Sequence, residues 1–161
     1  MTGYSVYNHM ILPKSFGMSV EDSYWHLNEN VQIWDVSVQR QVEITGPDAA
    51  RLVQWLTPRD LRHAETGRCY YIPVVDRDGG MLNDPVLLKL AADRFWLSVA
   101  DSDLLLYVKG LAIGGGYDVS VEEPDVNPLA MQGPKAASVI AALFGEVVAK
   151  LKFFHFTHID L

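Results

Sequence analysis

Two apolar runs in the middle of the chain, Tyr70-Tyr71-Ile72-Pro73-Val74-Val75 and Met81 onward to Leu90, flank Asp76-Arg77-Asp78-Gly79-Gly80. Apolar runs of this length around an Asp-Gly-Gly turn predict a β-hairpin. The second run reads as one buried strand except for Asn83-Asp84-Pro85. A carboxylate inside an apolar strand costs free energy unless it is paired or neutralised. Asp84 therefore asks for a reason, and the chemistry of a binding site is one. The pattern predicts a third strand over 95–99. A helix opens near Asp101-Ser102-Asp103, all good N-cap residues. It runs to about residue 112 and is ended by Gly114-Gly115-Gly116. A strand over 117–121 follows. Three strands, a helix and a strand make residues 58–123 an α+β unit of ferredoxin-like type.

The flanks carry a weak internal repeat. Val42-Glu43-Ile44-Thr45-Gly46-Pro47-Asp48-Ala49-Ala50-Arg51-Leu52-Val53 resembles Leu129-Ala130-Met131-Gln132-Gly133-Pro134-Lys135-Ala136-Ala137-Ser138-Val139-Ile140. Each reads as a short strand, a Gly-Pro and an Ala-rich amphipathic helix. Glycine permits the tight exit from the strand, and proline suits the first helical turn, where its missing N–H costs nothing. Before the first copy, residues 20–31 predict a short helix carrying Tyr24, Trp25 and Leu27, and residues 33–38 a strand. The last stretch, 153–161, is aromatic and strand-like, and it stops with no turn or polar tail.

Composition narrows the function classes. The 161 residues are one ordinary domain by length, able to bury about 70% of the unfolded surface. A net charge of −7, with no clustered Lys and Arg, argues against nucleic acid. A hydrophobic content of 49% is high, and predicts either a large core or apolar surface left for a partner. The single cysteine, Cys69, excludes an internal disulfide and a multi-cysteine metal site. No apolar run approaches a membrane span, and no basic segment leads into an apolar one at the N-terminus. A soluble cytoplasmic protein without a membrane partner is expected. His155 and His158 are three apart in a strand-like stretch and face opposite sides, so no metal site is expected there or elsewhere. Gly114-Gly115-Gly116 follows a helix instead of opening one, so it is not a phosphate loop.

Each candidate for chemistry has a plainer alternative on the residues alone. Asn-Asp-Pro favours a bulge, and proline withholds a ladder donor. Tyr71, thirteen residues before Asp84 and across the hairpin, reads as a cross-strand core aromatic. Ser98 and Ala100 precede the capping pair Asp101-Ser102. Arg40 can bind a carboxylate in a bidentate pair or lie on the surface of an edge strand. Tyr24, Trp25 and Trp34 can wall a cation or fill a core or interface.

Trp34-Asp35-Val36-Ser37, Val42 to Ala49, Tyr71 through Gly79-Gly80 to Asp84, Leu129 to Ala136 and Phe153-Phe154-His155-Phe156, taken in order and spacing, resemble the glycine-cleavage T-protein (aminomethyltransferase) family. Within it, Tyr7-Asn8-His9-Met10, Tyr24-Trp25-His26-Leu27, Asp35 to Gln41 and Asn83-Asp84-Pro85-Val86 are most similar to members that move a methyl group from a sulfonium, dimethylsulfoniopropionate, to tetrahydrofolate. The resemblance implies an outer folate-binding domain, begun in 1–57 and resumed in 124–161, around the ferredoxin-like unit. It implies tetrahydrofolate as cofactor and a small-molecule methyl donor. It places Asp84 at the reaction centre and Tyr71, Ser98 and Ala100 around the folate. Tyr24, Trp34 and Arg40 are the candidates for the donor. The chain departs from the family with Asn83 in place of an aspartate, Val38-Gln39-Arg40 in place of His-Met-Gly, and Leu88 in place of an aromatic. These departures argue against a plain aminomethyltransferase of glycine cleavage, which stays as the alternative. Family members are more than twice as long, so the chain is expected to be an N-terminal half with little turnover alone. A third reading is an inactive folate-binding or self-associating module, forming a homodimer through exposed apolar surface or an open strand edge.

Overall fold

A computed structural model describes residues 3–100 and 103–160. It divides into two units, one made of Gln39–Val126 with Phe153–Phe156 and the other of the remaining described residues. In chain order the first unit opens with a hairpin of β1 (Tyr4–Tyr7) and β2 (Met10–Pro13). Helix α1 (Val20–Glu29) follows, and the Ser19 side chain caps it by accepting the Asp22 N–H at 3.0 Å. Strand β3 (Gln32–Asp35) comes next.

The second unit holds β4 (Gln41–Thr45), α2 (Ala49–Leu56), β5 (Cys69–Tyr71), β6 (Val74–Val75), β7 (Met81–Asn83), β8 (Val86–Ala91), β9 (Arg94–Ser98), α3 (Leu104–Gly115) and β10 (Ser120–Glu122). Its sheet is antiparallel, in the order β10-β4-β9-β8-β5. The period-two pattern of the strands decides the two faces. Val42, Leu97, Leu87 and Tyr70 share one rung, and with Ile44, Phe95 and Val99 they meet Leu52, Val53 and Leu56 of α2 and Leu104 and Val108 of α3 in one buried cluster. The chain then returns to the first unit with β11 (Leu129–Gln132), which pairs antiparallel with β3, followed by α4 (Ala136–Phe144) and α5 (Glu146–Ala149).

The ferredoxin-like unit is present, and it starts earlier than the hydrophobic pattern suggests. Strand β4 is flanked by both β9 and β10, and α2 packs on the same sheet. The order β4-α2-β8-β9-α3-β10 is the full β-α-β-β-α-β path, with β5 added at the edge. The Gly-Pro copy at 46–47 thus belongs with this unit instead of with an outer layer ending at residue 57. The copy at 133–134 lies in the other unit, so the repeat is real in three dimensions. Gly46 and Gly133 have φ of +126° and +123°. A Cβ on Gly46 would stand 2.6 Å from the Asp118 carbonyl oxygen, and one on Gly133 would meet the Asn30 carbonyl oxygen. The Asp48 N–H bonds that Asp118 oxygen at 3.2 Å, and the Lys135 N–H bonds that of Asn30 at 3.1 Å.

Three other expectations change. The run 70–75 is two strands, β5 and β6, and the run 81–90 is β7 and β8. Pro73 and Pro85 carry no N–H, so each interrupts a ladder. The strand expected over 117–121 is only β10, at 120–122, because Tyr117 bonds back to the Ala112 carbonyl to close the helix. The final stretch is not a continuous strand. Cys69 N–H meets the Phe154 carbonyl at 2.8 Å and Phe156 N–H that of Gly67 at 3.0 Å, and residues 157–160 pair with no strand. The capping pair Asp101-Ser102 lies outside the described residues. Helix α3 starts after Asp103 and ends on Gly116 in the left-handed conformation.

Candidate functional site

Asp84 occupies the break between β7 and β8, and the break explains its tolerance. The carboxylate is not buried in a strand but exposed. Its N–H is taken by the Asn83 side-chain oxygen at 2.9 Å, and Pro85 beyond it is fully buried, its carbonyl accepting the Ile72 N–H at 3.1 Å. The kink is anchored from below while the side chain stands free of the core.

Tyr71 ends β5 directly across from Val86, two residues past Asp84. Its phenol donates to Asp84 Oδ2 at 2.5 Å. That bond, then partial desolvation and the nearby negative charge, hold the Tyr71 pKa above the ordinary tyrosine value, the hydrogen bond contributing most. Tyr71 is 46% exposed, so it is not the core aromatic that its strand position suggests. Its carbonyl oxygen accepts from Arg59 Nη1 at 2.7 Å, and the same guanidinium lies 5.4 Å over the Tyr70 ring. Among the described residues Asp84 Oδ1 takes no hydrogen bond, so one oxygen is held and the other is open.

The sheet extends this arrangement in one rung. Tyr71 pairs with Val86, Val86 with Ser98 and Ser98 with Gln41. Residues of one rung share a face, so Tyr71 and Ser98 both lie on the side opposite the helices. The Gln41 amide donates to Ser98 Oγ at 3.1 Å and to the Gln39 carbonyl at 2.9 Å. Ala100 is exposed two residues beyond Ser98. The Val99 N–H between them bonds the Arg40 carbonyl at 3.1 Å, which brings the Arg40 backbone to the end of the same strand pair.

The Arg40 side chain is occupied. Its Nε donates to Glu123 Oε1 at 2.7 Å and its Nη2 to Glu123 Oε2, a two-pronged ion pair. The pairing raises the arginine pKa and lowers that of Glu123. Beside Asn83 lies an open depression of about 240 Å³, lined by Leu82, Asn83, Asp103, Leu104 and Tyr107. It adjoins the start of α3 and carries both apolar wall and polar edge.

Tyr24 and Trp34 belong to the other unit. Tyr24 and Trp25 form an edge-to-face pair with centroids 5.1 Å apart, and Trp34 stands on β3 opposite Ala130. All three rings are exposed, at 57%, 54% and 43%, so none is a core aromatic. The structure therefore brings Tyr71, Asp84, Ser98, Ala100 and Arg40 onto one unit. Sequence reasoning missed Arg59, Gln41 and Glu123. The polar–apolar alternation Gln41-Val42-Glu43-Ile44 was the available signal for Gln41, and nothing local marked the other two.

Comparison with known proteins gives the family and the fold. Residues 4–161 match the family model of the GCVT N-terminal domain. The chain is 54% identical over 154 residues to dimethylsulfoniopropionate demethylase of Ruegeria pomeroyi, covering 96% of the chain and 42% of that protein. It superimposes with a TM-score of 0.84, at 23% identity, on the crystal structure of the glycine cleavage system aminomethyltransferase T from Bartonella henselae, covering 95% of the chain and 42% of that one. The chain thus spans about four tenths of the length of each.

Proposed function

Because the chain belongs to the GCVT N-terminal domain family, we propose that it forms the folate-reacting half-site of a tetrahydrofolate-dependent methyltransferase. The observation that carries the reading is the asymmetric Asp84 carboxylate, with Oδ2 held by Tyr71 and Oδ1 open. Tetrahydrofolate supplies a nucleophilic nitrogen. Asp84 Oδ1 accepts the N–H of that nitrogen and stabilises the positive charge that develops as it is alkylated. Tyr71 fixes the carboxylate plane, so little reorganisation remains at the moment of reaction. The depression beside Asn83 gives the ring a wall in Leu104 and Tyr107.

The methyl donor we propose is a sulfonium such as dimethylsulfoniopropionate, on the strength of the 54% identity to a demethylase of that compound. The sulfur–methyl bond breaks as the nitrogen–methyl bond forms. The sulfonium leaves as a neutral thioether, so no general acid is needed, and alignment of nitrogen, carbon and sulfur supplies most of the rate. The alkylated nitrogen then loses its proton to solvent, and the products are 5-methyltetrahydrofolate, methylthiopropionate and that proton. Arg40 can take the donor's carboxylate only by sharing or exchanging Glu123. An aminomethyltransferase would form 5,10-methylene folate instead, so the product separates the two chemistries.

Isothermal titration of tetrahydrofolate into the chain and into Asp84→Asn tests the reading. Hydrogen bonds to charged groups contribute roughly 1.5–3 kcal/mol, so the substitution weakens binding by about tenfold or more. Equal affinity for both proteins would overturn it.

A further inference from the structure

Two guanidinium groups flank the Tyr70 ring, and only one of them reaches the candidate site. Arg59 lies 5.4 Å from the ring centroid and Arg68 5.5 Å. Arg68 Nη1 donates to Glu65 Oε2 at 3.3 Å. Arg59 Nη1 donates instead to the Tyr71 carbonyl at 2.7 Å. No carboxylate among the described residues pairs with Arg59.

The ladder explains why that carbonyl needs a partner. Strand β5 is the edge of its sheet. Tyr71 faces Val86, and the Ile72 N–H reaches the Pro85 carbonyl at 3.1 Å. In an antiparallel ladder that bond marks Tyr71 and Val86 as a non-hydrogen-bonded pair, so the Tyr71 backbone groups point out of the sheet. Two residues earlier, the outward Cys69 N–H is met by the Phe154 carbonyl at 2.8 Å. At Tyr71 the outward carbonyl is met by Arg59. Pro73 has no N–H to give and β8 begins only at Val86, so the ladder stops here. Tyr71 stands on the last rung of β5, and the Arg59 bond is the tie on its open side.

Arg59 is itself fixed. Gln54 on α2 donates to the Arg59 carbonyl at 2.9 Å and accepts the Leu61 N–H at 2.8 Å. Thr57 Oγ1 accepts the Arg59 N–H at 3.3 Å. Leu52, Val53 and Leu56 hold α2 in the core. One line of bonds thus runs from α2 through the 57–61 loop and Arg59 to the Tyr71 backbone, and from the Tyr71 phenol to Asp84 Oδ2.

We propose that Arg59 is a positioning residue: by holding the Tyr71 carbonyl it sets the phenol against Asp84 Oδ2 and so keeps Oδ1 open to the ligand. The consequence for folate rests on the proposed function, while the positioning rests on the geometry alone. The sign of the effect separates position from charge. The Asp84 bond holds the Tyr71 pKa up. Loss of positioning weakens that bond and lets the pKa fall. Loss of a nearby positive charge disfavours the phenolate and makes the pKa rise.

Carbon-13 NMR titration of chain labelled at the tyrosine rings tests the positioning without any ligand. The Tyr71 resonance is identified by its loss in Tyr71→Phe. Arg59→Met keeps an apolar stem beside Tyr70 and removes the donor. The expected result is a Tyr71 pKa that falls toward the ordinary value, with an unchanged circular dichroism spectrum. Arg59→Lys restores a donor and lies between Arg59→Met and the wild type. Arg68→Met removes the other guanidinium beside Tyr70 and leaves the Tyr71 pKa as it is. Calorimetry reads the consequence: tetrahydrofolate binds Arg59→Met about threefold more weakly, as for the partial loss of one hydrogen bond, and binds Arg68→Met as it does the wild type. A Tyr71 pKa that stays or rises in Arg59→Met, or falls equally in Arg68→Met, would overturn the proposal. So would unaltered folate affinity in Arg59→Met beside weakened affinity in Asp84→Asn. Unaltered affinity in Asp84→Asn itself is a different result: it overturns the folate reading, and the pKa comparison still decides the role of Arg59.

Discussion

The Tyr71 phenol donates to Asp84 Oδ2 at 2.5 Å across the break between β7 and β8. The bond favours the protonated phenol, so the Tyr71 pKa lies above the ordinary tyrosine value of about 10. Its contribution to stability is fully present below that unfolded value and is lost as pH rises through the higher folded one. An ultraviolet difference titration of the wild type against Tyr71→Phe should show the Tyr71 phenol ionising above the ordinary tyrosine value. In Asp84→Asn that tyrosine should return toward the ordinary value. A Tyr71 transition at the ordinary value in the wild type would contradict the bond.

The repeat predicts where glycine is required. Gly46→Ala forces a Cβ toward the Asp118 carbonyl at a φ of +126°, and should destabilise the second unit by more than about 1 kcal/mol. Gly110 is exposed, lies inside α3 and has open space beside it, so Gly110→Ala should stabilise by roughly 0.5–1 kcal/mol. Urea denaturation reads both, and the opposite order of the two would refute the assignment.

How far the sequence could foresee this structure depends on the range of the interactions. The Asp-Gly-Gly hairpin is local, and it is present as β6 and β7. The Gly-Pro repeat is also local, and both copies fold as read. Which sheet each copy joins is decided by non-local pairing, β4 with β9 and β10 against β11 with β3, and the two copies look alike until those partners are known. Asp84 was legible as an anomaly in an apolar run. Its exposure was not, because it depends on Pro85 and Asn83 together ending the ladder. The exposed Tyr24, Trp25 and Trp34 have core-like composition, and only burial separates them from core aromatics.

Leu97 is fully buried between β4 and β8 in the sheet that carries Ser98 and supports Asp84. Leu97→Ala should cost about 2–5 kcal/mol in chemical denaturation. Leu106, 71% exposed on α3, should cost less than about 0.5 kcal/mol on the same change. Similar losses at both positions would place the core wrongly.

Cys69 lies on β5 two residues before Tyr71, and partial burial pushes its thiol pKa up. Alkylation by iodoacetamide should therefore be slower than that of an unfolded control at pH 8, and should approach it only as pH rises further. A rate equal to the control at pH 8 would mean that this edge of the sheet is open to solvent.

The central claim of the proposed function is that the chain offers Asp84 to the folate. Carbon-13 NMR of chain labelled at the aspartate carboxyls tests that central claim most directly. The Asp84 resonance is identified by its loss in Asp84→Asn. The account predicts that this resonance moves and saturates with added tetrahydrofolate while that of Asp93, in the turn at the opposite end of β8, stays fixed. Saturable tetrahydrofolate binding that leaves the Asp84 resonance unmoved would contradict it.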